Sequence, residues 1–320
     1  MADSTRDFLI AVDGSDQSLG AVRYLGKIIP PHQTTVTLFH VLNLIPESFW
    51  DLEGDPGFRH KVVGARAWEF QQKKILDDFL KKAQRSLRSA GYKEDHVKIV
   101  SQKRRAGVAR DILQEARKGH TALVVGRTGL SKAKDLVFGS IANKLVSRLS
   151  GVPICVVGGR PDTNKILVAV DSSEGSGITL DHVGKVFGDS ASEILLLHVI
   201  RGLGVFQPGF EGLAIPEEDK DWVSKARDEF EKAKKEIDAF FEQAVRSLET
   251  HGVDSQRITT RVLTGVKSRA AAIAEEAKKG GYGTIVVGRK GASRVEEFVM
   301  GRVSTKILQL AKQAAIWVMS

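Results

Sequence analysis

The sequence is poor in cysteine and has no apolar stretch long enough to cross a membrane. Cys155 is the only cysteine among 320 residues, so the chain can form neither an internal disulfide nor a cysteine-rich metal site. It lies in an apolar run, where a thiol behaves as a small buried hydrophobic group. A membrane helix needs about 20 apolar residues, and the short polar N-terminus leaves no room for a signal peptide. We therefore expect a protein of the reducing cytoplasm with no membrane partner.

Charged residues are unevenly distributed between the two halves of the chain. Residues 1–160 contain 26 lysines and arginines against 16 acidic residues, a net charge of +10, whereas residues 161–320 contain 22 against 23, a net charge of −1. The positive half is suited to anionic ligands. Nucleic acid is the other partner of a basic chain, but the basic stretch at residues 102–105 is short and has no interleaved aromatics, so nucleic-acid binding is not expected.

The sequence repeats itself once, which indicates two domains of the same fold. Matching segments lie 158 residues apart early in the repeat and 162 residues apart late in it, so additional residues enter the second copy in or beside its long helix. We predict domains at residues 1–160 and 161–320, joined by a turn-rich linker. The matching segments are residues 8–15 and 166–173, 36–41 and 194–199, 123–129 and 285–291, and 152–157 and 314–319.

Each copy alternates short apolar segments with longer amphipathic ones, a pattern that predicts alternating strands and helices. Strands are predicted at residues 8–12, 35–42, 97–102, 121–125 and 152–157 of the first copy. Strands that are apolar throughout are buried on both faces, as in parallel sheets. We therefore predict an α/β fold of two tandem, doubly wound, five-stranded parallel-sheet domains of the Rossmann-like type. Ligands of such folds bind beyond the carboxyl ends of the strands.

Polar or glycine-rich segments follow three of the predicted strands in the first copy. Asp13 can accept hydrogen bonds from a ribose hydroxyl or an adenine amine, and the backbone of Val41 can pair with a base edge. Glycines and a helix N-terminus let a phosphate approach backbone N–H groups. An aspartate in this place is also a common turn former or helix cap. The candidate binding residues are Asp13, Gly14, Ser15, Val41, Gly126, Arg127, Gly129, Gly139 and Ser140.

The spacing of these glycines resembles a known nucleotide-binding signature. Gly126-x₂-Gly129-x₉-Gly139-Ser140 is similar to the G-2x-G-9x-G-(S/T) signature of the universal stress protein family, and the resemblance covers essentially the whole chain. It implies a tandem member with the adenine nucleotide alpha hydrolase-like fold. Members with an intact signature bind ATP. The resemblance therefore implies that the aspartate and valine after the first two strands line an adenosine pocket, while the glycines and the serine hold the ribose and the phosphates.

The second copy keeps most of this signature but departs from it at one position. Arg302 stands where serine or threonine is expected. A guanidinium can pair with a phosphate, fill the pocket, or point into solvent as an ordinary first-turn residue. Nucleotide binding in this copy is therefore left open, and AMP or ADP is as reasonable a ligand as ATP. The corresponding candidate residues are Asp171, Val199, Gly288, Gly291, Gly301 and Arg302.

Two further features recur in both copies. His40 and His198 each end the second strand, where a hydrogen-bonded histidine is the expected interpretation and a catalytic base the alternative. The segments at residues 43–59 and 201–216 are long loops, which serve as lids, as partner surfaces or as covers for the long helices. Their notable aromatic residues are Phe49, Trp50, Phe206 and Phe210.

The expected function is that of a cytoplasmic nucleotide-binding stress protein. ATP in the first copy, with Mg²⁺ on its phosphates, would act as a sensor or regulator, and turnover would be slow or absent because no catalytic base is evident. The alternatives are an ATP-consuming adenylating enzyme, whose motifs are missing, and an interaction module with vestigial pockets. The resemblance also implies pairing through the last strands, and hence homodimers of the tandem chain. The residues suited to that pairing are Ile154, Val156, Ile316 and Val318.

Overall fold

The computed structural model describes residues 6–42, 59–129, 138–201, 220–289 and 300–320. The chain divides into two compact units, Met1–Gly158 and Gly159–Ser320, called below the first and the second unit. Some residues singled out in the sequence lie outside the described residues, namely Phe49, Trp50, Phe206, Phe210 and Gly291.

The first unit contains a five-stranded parallel sheet with helices between its strands, as predicted. The sheet order is β3-β2-β1-β4-β5, and each neighbouring pair is parallel. The order reverses between β1 and β4, which makes the sheet doubly wound. The strands are β1 (Arg6–Ala11), β2 (Thr34–Leu42), β3 (Val97–Lys103), β4 (Ala122–Gly126) and β5 (Ile154–Val157), and the described helices are α1 (Asp16–Ile28), α2 (Arg59–Ser89), α3 (Val108–Ala116) and α4 (Ser140–Arg148).

The second unit repeats this arrangement. Its sheet order is β8-β7-β6-β9-β10, again with parallel neighbours. The pairing of β7 with β8 shifts register between Val199 and Arg201, whereas β2 and β3 pair in one continuous register. The strands are β6 (Lys165–Val170), β7 (Glu193–Arg201), β8 (Ile258–Val266), β9 (Thr284–Gly288) and β10 (Ala315–Met319), and the described helices are α5 (Glu174–Phe187), α6 (Lys220–Glu249), α7 (Arg269–Gly280) and α8 (Arg302–Leu310).

Local sequence fixes the position of α1 directly after β1. The side chain of Ser15 accepts a hydrogen bond from the N–H of Ser18 at 3.1 Å and so caps the helix. The helix ends at Ile28, shortly before Pro30, because proline restricts the preceding residue and cannot donate a helical hydrogen bond. The capped start therefore holds the loop after β1 in place at the edge of the sheet.

The central strands are buried on both faces. In β1, Phe8 and Leu9 point to opposite faces of the sheet, and both are fully buried. Trp317 of β10 is also fully buried, and its ring meets that of Phe187 edge to face at 5.1 Å between centroids. Cys155 is confirmed as a buried residue, and this burial raises the pKa of its thiol. Among the described helices, none is long and apolar enough to cross a membrane.

Candidate functional site

The candidate site of the first unit lies where the strand order reverses. β1 and β4 are neighbours, with Ala11 opposite Val125, so the loops after both strands leave the same edge of the sheet. β2 pairs with the other side of β1 and runs to Leu42 at that edge. The structure therefore brings together the three strand ends that the sequence predicts to carry the ligand, at the place where doubly wound sheets bind ligands.

Asp13 is held in one orientation by the start of α1. Its Oδ1 atom accepts hydrogen bonds from the backbone N–H of Ser15 at 3.0 Å and from the Ser15 hydroxyl at 2.6 Å. Gly14 makes the turn possible, because its φ of +84° lies in the left-handed region that favours glycine. Asp13 is therefore a turn former, one of its two predicted roles, and the same contacts orient its carboxylate at the site.

The signature glycines are required by contacts within the chain itself. A Cβ atom at Gly126 would lie 3.0 Å from a backbone carbon of α1, and one at Gly139 would lie 3.1 Å from the carbonyl oxygen of Arg127. A Cβ atom at Gly129 would lie 2.4 Å from Oδ2 of Asp13. Only glycine lets backbone segments approach this closely without a shift of the surrounding atoms. The glycines thus determine the shape of the cavity whose ligand they are predicted to bind.

The N-terminus of α4 opens onto this cavity. Gly139 is the N-cap and supplies no side-chain hydrogen bond to the first turn. Its own N–H donates to the carbonyl of Arg127 at 2.9 Å, which ties the helix start to the loop after β4. Ser140, the first helical residue, is exposed and lines the cavity. The first N–H groups of a helix have no partner within the helix and, with its dipole, they attract anions.

Arg127, a predicted source of positive charge for the phosphates, is largely buried. Only 5% of the residue is exposed, and its guanidinium carbon lies 5.6 Å from the centre of the Phe138 ring. Burial lowers the pKa of this side chain, and the aromatic face compensates by attracting the cation. Arg289 of the second unit is buried in the same way, and its Nε donates to the Ser320 hydroxyl at 3.0 Å. Both arginines therefore anchor the loop that follows the fourth strand.

These residues line a cavity of about 940 Å³, which also includes Val41. This volume lies near the upper end of the range of small-molecule sites. One wall comes from the N-terminal half of α2, where Trp68, Phe70 and Ile75 are 46%, 73% and 49% exposed. The sequence interpretation missed this wall. Exposed aromatic residues in an otherwise polar helix are the signal that could have revealed it.

The two strand-end histidines are hydrogen-bonded to the backbone, which is their expected interpretation. His40 Nδ1 lies 2.7 Å from the carbonyl oxygen of Val12, and His198 Nδ1 lies 3.0 Å from that of Val170. A carbonyl only accepts, so Nδ1 donates in both cases. Burial lowers the pKa of His198, and the charge of Arg269 lowers it further, while the hydrogen bond to Val170 and the charge of Asp171 act in the opposite direction.

A buried carboxylate holds the loop that leads into α3. Asp111 is 1% exposed and accepts hydrogen bonds from the backbone N–H groups of Arg105 at 2.8 Å and Ala106 at 3.0 Å. Burial raises the pKa of Asp111, but the backbone hydrogen bonds and the charge of Arg105 outweigh this effect, so the pKa is lowered overall. The fixed loop positions Val108, the first residue of α3 and a further residue of the cavity wall.

The corresponding residues of the second unit make a denser set of contacts. Oδ1 of Asp171 accepts hydrogen bonds from the N–H of Ser173 at 3.2 Å, from the Ser173 hydroxyl, and from the Ser176 hydroxyl at 2.8 Å. At the other side of the site, the hydroxyl of Ser304 donates to the carbonyl of Gly288 at 2.7 Å. Gly301 caps α8, and Arg302 behind it is exposed, as an ordinary first-turn residue would be.

Comparisons with known proteins agree with the repeat and with the fold. The model of the universal stress protein family matches residues 5–157 and again residues 163–318. The chain is 32% identical over 149 residues to the universal stress protein YxiE of Bacillus subtilis (strain 168), a match that covers 46% of this chain and 93% of that protein.

Solved structures of similar fold include a universal stress protein from Archaeoglobus fulgidus DSM 4304. It matches 99% of this chain and 98% of its own, with a TM-score of 0.60 and 17% identity. A universal stress protein in complex with cAMP matches 49% of this chain and 96% of its own, with a TM-score of 0.33 and 16% identity. At 17% identity, the similarity to the Archaeoglobus fulgidus protein shows a shared fold and no more.

Proposed function

Because the chain belongs to the universal stress protein family as a tandem two-domain member, we propose that its first unit binds an adenine nucleotide, with ATP as the preferred ligand. The observation that carries this proposal is the convergence of Asp13, the loop from Gly126 to Gly129 and the start of α4 on one cavity of about 940 Å³. A binding site of this kind serves a sensor or regulator of the stress response in the cytoplasm.

The nucleoside would lie between the ends of β1 and β2. One oxygen of the Asp13 carboxylate is held by Ser15, which orients the group for hydrogen bonds from ribose hydroxyls. The backbone of Val41, whose residue lines the cavity, would pair with the edge of the adenine ring. Its carbonyl can accept a hydrogen bond from the 6-amino group of adenine.

The phosphates would lie at the start of α4. The N–H groups of the first turn and the hydroxyl of Ser140 are donors, and the helix dipole favours negative charge there. The excess of basic residues in the first half of the chain adds a favourable long-range field. No cluster of three metal-binding side chains occurs among the described residues. A Mg²⁺ ion would therefore be held mainly by the phosphates and water, as is common for this ion.

We propose a binding protein in preference to an enzyme. The side chain that the sequence offers as a candidate catalytic base, His40, engages its Nδ1 with the carbonyl of Val12.

The edge strand β3 has two exposed apolar residues, Ile99 and Val100. An exposed apolar edge favours strand pairing, so self-association of the tandem chain through edge strands is part of this proposal.

A Ser140→Ala variant is expected to bind ATP about tenfold more weakly, because one hydrogen bond to a charged phosphate is worth about 1.5 kcal/mol. Calorimetric titration of the full chain with Mg-ATP measures the change. Ser147→Ala is the matched control, since Ser147 lies on the exposed side of the same helix and bonds to the carbonyl of Lys144. Equal loss of affinity in both variants would contradict a phosphate site at the start of α4.

The same titration, followed by an assay for released phosphate and pyrophosphate, separates the proposed function from the two alternatives. Release of pyrophosphate or phosphate at a rate of enzymatic turnover would indicate an ATP-consuming enzyme. Failure of the wild-type chain to bind any adenine nucleotide would indicate an interaction module with vestigial pockets. Saturable binding without product release is the result expected of a nucleotide-regulated binding protein.

A further inference from the structure

The two units differ at the residue that begins the helix after the third strand. Val108 begins α3 in the first unit and lines the cavity. Arg269 begins α7 at the same place in the second unit. The substitution replaces a short apolar side chain, which has no hydrogen-bonding group, by a long cation with five N–H donors. Sequence inspection did not single out either residue, because neither belongs to the glycine signature.

Arg269 reaches back to the strand that carries the base-edge position. Its Nε donates a hydrogen bond to the carbonyl oxygen of Val199 at 3.1 Å. Val199 follows the strand-end histidine of β7 as Val41 follows that of β2. The carbonyl that is proposed to receive the adenine amino group in the first unit therefore has a protein donor in the second. This donor is part of a cationic, planar group with further N–H bonds.

The backbone around this position also differs between the units. In β7 the register with β8 shifts between Val199 and Arg201, whereas Val41 pairs with Gln102 in continuous register. Such irregularities at strand ends redirect the backbone groups of a site. The turn after the first strand differs as well. Gly14 has a positive φ, whereas Ser172, which occupies its position in the second unit, does not: among the described non-glycine residues, only Gln33 has a positive φ.

We propose that Arg269 determines the specificity of the second unit by excluding adenine from it. The 6-amino group of adenine is a donor, and in the second unit it would meet the guanidinium donors of Arg269 at the carbonyl of Val199. The charge adds to this effect, because a cation held at this carbonyl repels the partly positive amino group of the base. This proposal rests on the proposed function of the first unit, and it limits the chain to one adenine-nucleotide site.

Arg302 is the residue at which the second copy departs from the signature, but it is not the residue that we propose to exclude adenine. It is exposed at the start of α8, at the phosphate side of the site, and a cation there favours an anionic ligand. The two arginines therefore have opposite expected effects. Arg269 blocks the base position, whereas Arg302 is compatible with binding of a phosphate.

Titration of the full chain with Mg-ATP tests the proposal by stoichiometry. The wild-type chain is expected to bind about one nucleotide, and an Arg269→Val chain is expected to bind a second one with an affinity gain of at least about tenfold at that site. Arg302→Ser is the matched control and is expected to leave the stoichiometry at one. Thermal unfolding of each variant verifies that the second unit remains folded.

The outcomes separate this proposal from the proposed function. Binding of no adenine nucleotide by the wild-type chain would refute the function of the first unit. Wild-type binding of two nucleotides, a folded Arg269→Val chain that still binds one, or a second site that opens in Arg302→Ser would each overturn the role of Arg269. An Arg269→Met variant, which keeps a long side chain but removes the donors, is expected to bind a second nucleotide if the hydrogen bond is responsible.

Discussion

A Gly129→Ala variant is expected to lose at least about 100-fold in affinity for ATP, equivalent to about 2.8 kcal/mol of binding free energy. The added Cβ would lie 2.4 Å from Oδ2 of Asp13. The carboxylate cannot simply rotate away, because its other oxygen accepts two hydrogen bonds from Ser15. Either the aspartate or the loop after β4 must move. Both the ribose contact and the phosphate contacts of the proposed site depend on these two segments.

Gly20→Ala is the matched control for this variant. Gly20 lies within α1, and a Cβ atom there would meet no atom within 4 Å. Alanine is favoured over glycine inside a helix by about 0.5–1 kcal/mol, so this variant is expected to gain stability and to bind ATP normally. Calorimetric titration measures the affinity, and thermal unfolding confirms that both variants fold. Wild-type affinity in Gly129→Ala would contradict the proposed location of the nucleotide.

A Trp317→Ala variant is expected to destabilise the second unit by about 3–5 kcal/mol. Trp317 is fully buried in β10, and its ring packs edge to face against Phe187 of α5. Truncation removes a large apolar surface, an aromatic pair and the atoms that fill the space between sheet and helix. The space left by the removed ring cannot collapse easily, because the strands that border it are held in the parallel sheet.

Chemical denaturation followed by circular dichroism measures this loss. A two-unit chain can unfold in two steps, and the step assigned to the second unit is expected to move to lower denaturant concentration. Phe70→Ala is the control, because Phe70 is 73% exposed on α2 and its removal is expected to change stability much less than the removal of a fully buried ring. A similar small change for Trp317→Ala would show that β10 contributes little to the core.

Much of the fold could be predicted because its signals are local. Buried parallel strands are apolar throughout, as in β1 and β4, and these segments stand out in the sequence. The start of α1 is signalled by Ser15, a residue type that is preferred at helix N-caps, and its side chain caps the helix. The repeat gave a second, independent indication of each element. The rule that sequential strands lie side by side accounts for the pairs β1-β2, β2-β3 and β4-β5, but not for β4 lying beside β1.

The details of the site depended on tertiary contacts that spacing does not reveal. The glycine signature suggested close approach of a ligand, whereas the close contacts at Gly126 and Gly139 are with the backbone of the chain itself. The contact between Arg269 and Val199 joins residues 70 positions apart. Prediction of the cavity wall formed by α2 would have required knowledge of where this helix packs relative to the sheet edge. Such contacts are set by packing, and the sequence alone left them open.

Under the proposals made above, the two units of the tandem chain would have different roles. The first unit combines an open cavity with a complete signature, and it is the proposed nucleotide site. In the second unit, Arg269 occupies the carbonyl of Val199 and Ser304 bonds to the backbone of Gly288. Each chain would then bind one nucleotide, in the first unit, and the second unit would contribute stability and a surface for contacts with other molecules.

The identity and amount of nucleotide bound per chain decide whether the first unit is an adenine-nucleotide site. Purified protein would be incubated with ATP and Mg²⁺, desalted and denatured, and the released small molecules would be identified and quantified by mass spectrometry. About one adenine nucleotide per wild-type chain is expected, and none from Gly129→Ala. Absence of adenine nucleotide from the wild-type chain, or equal amounts from the two proteins, would contradict it.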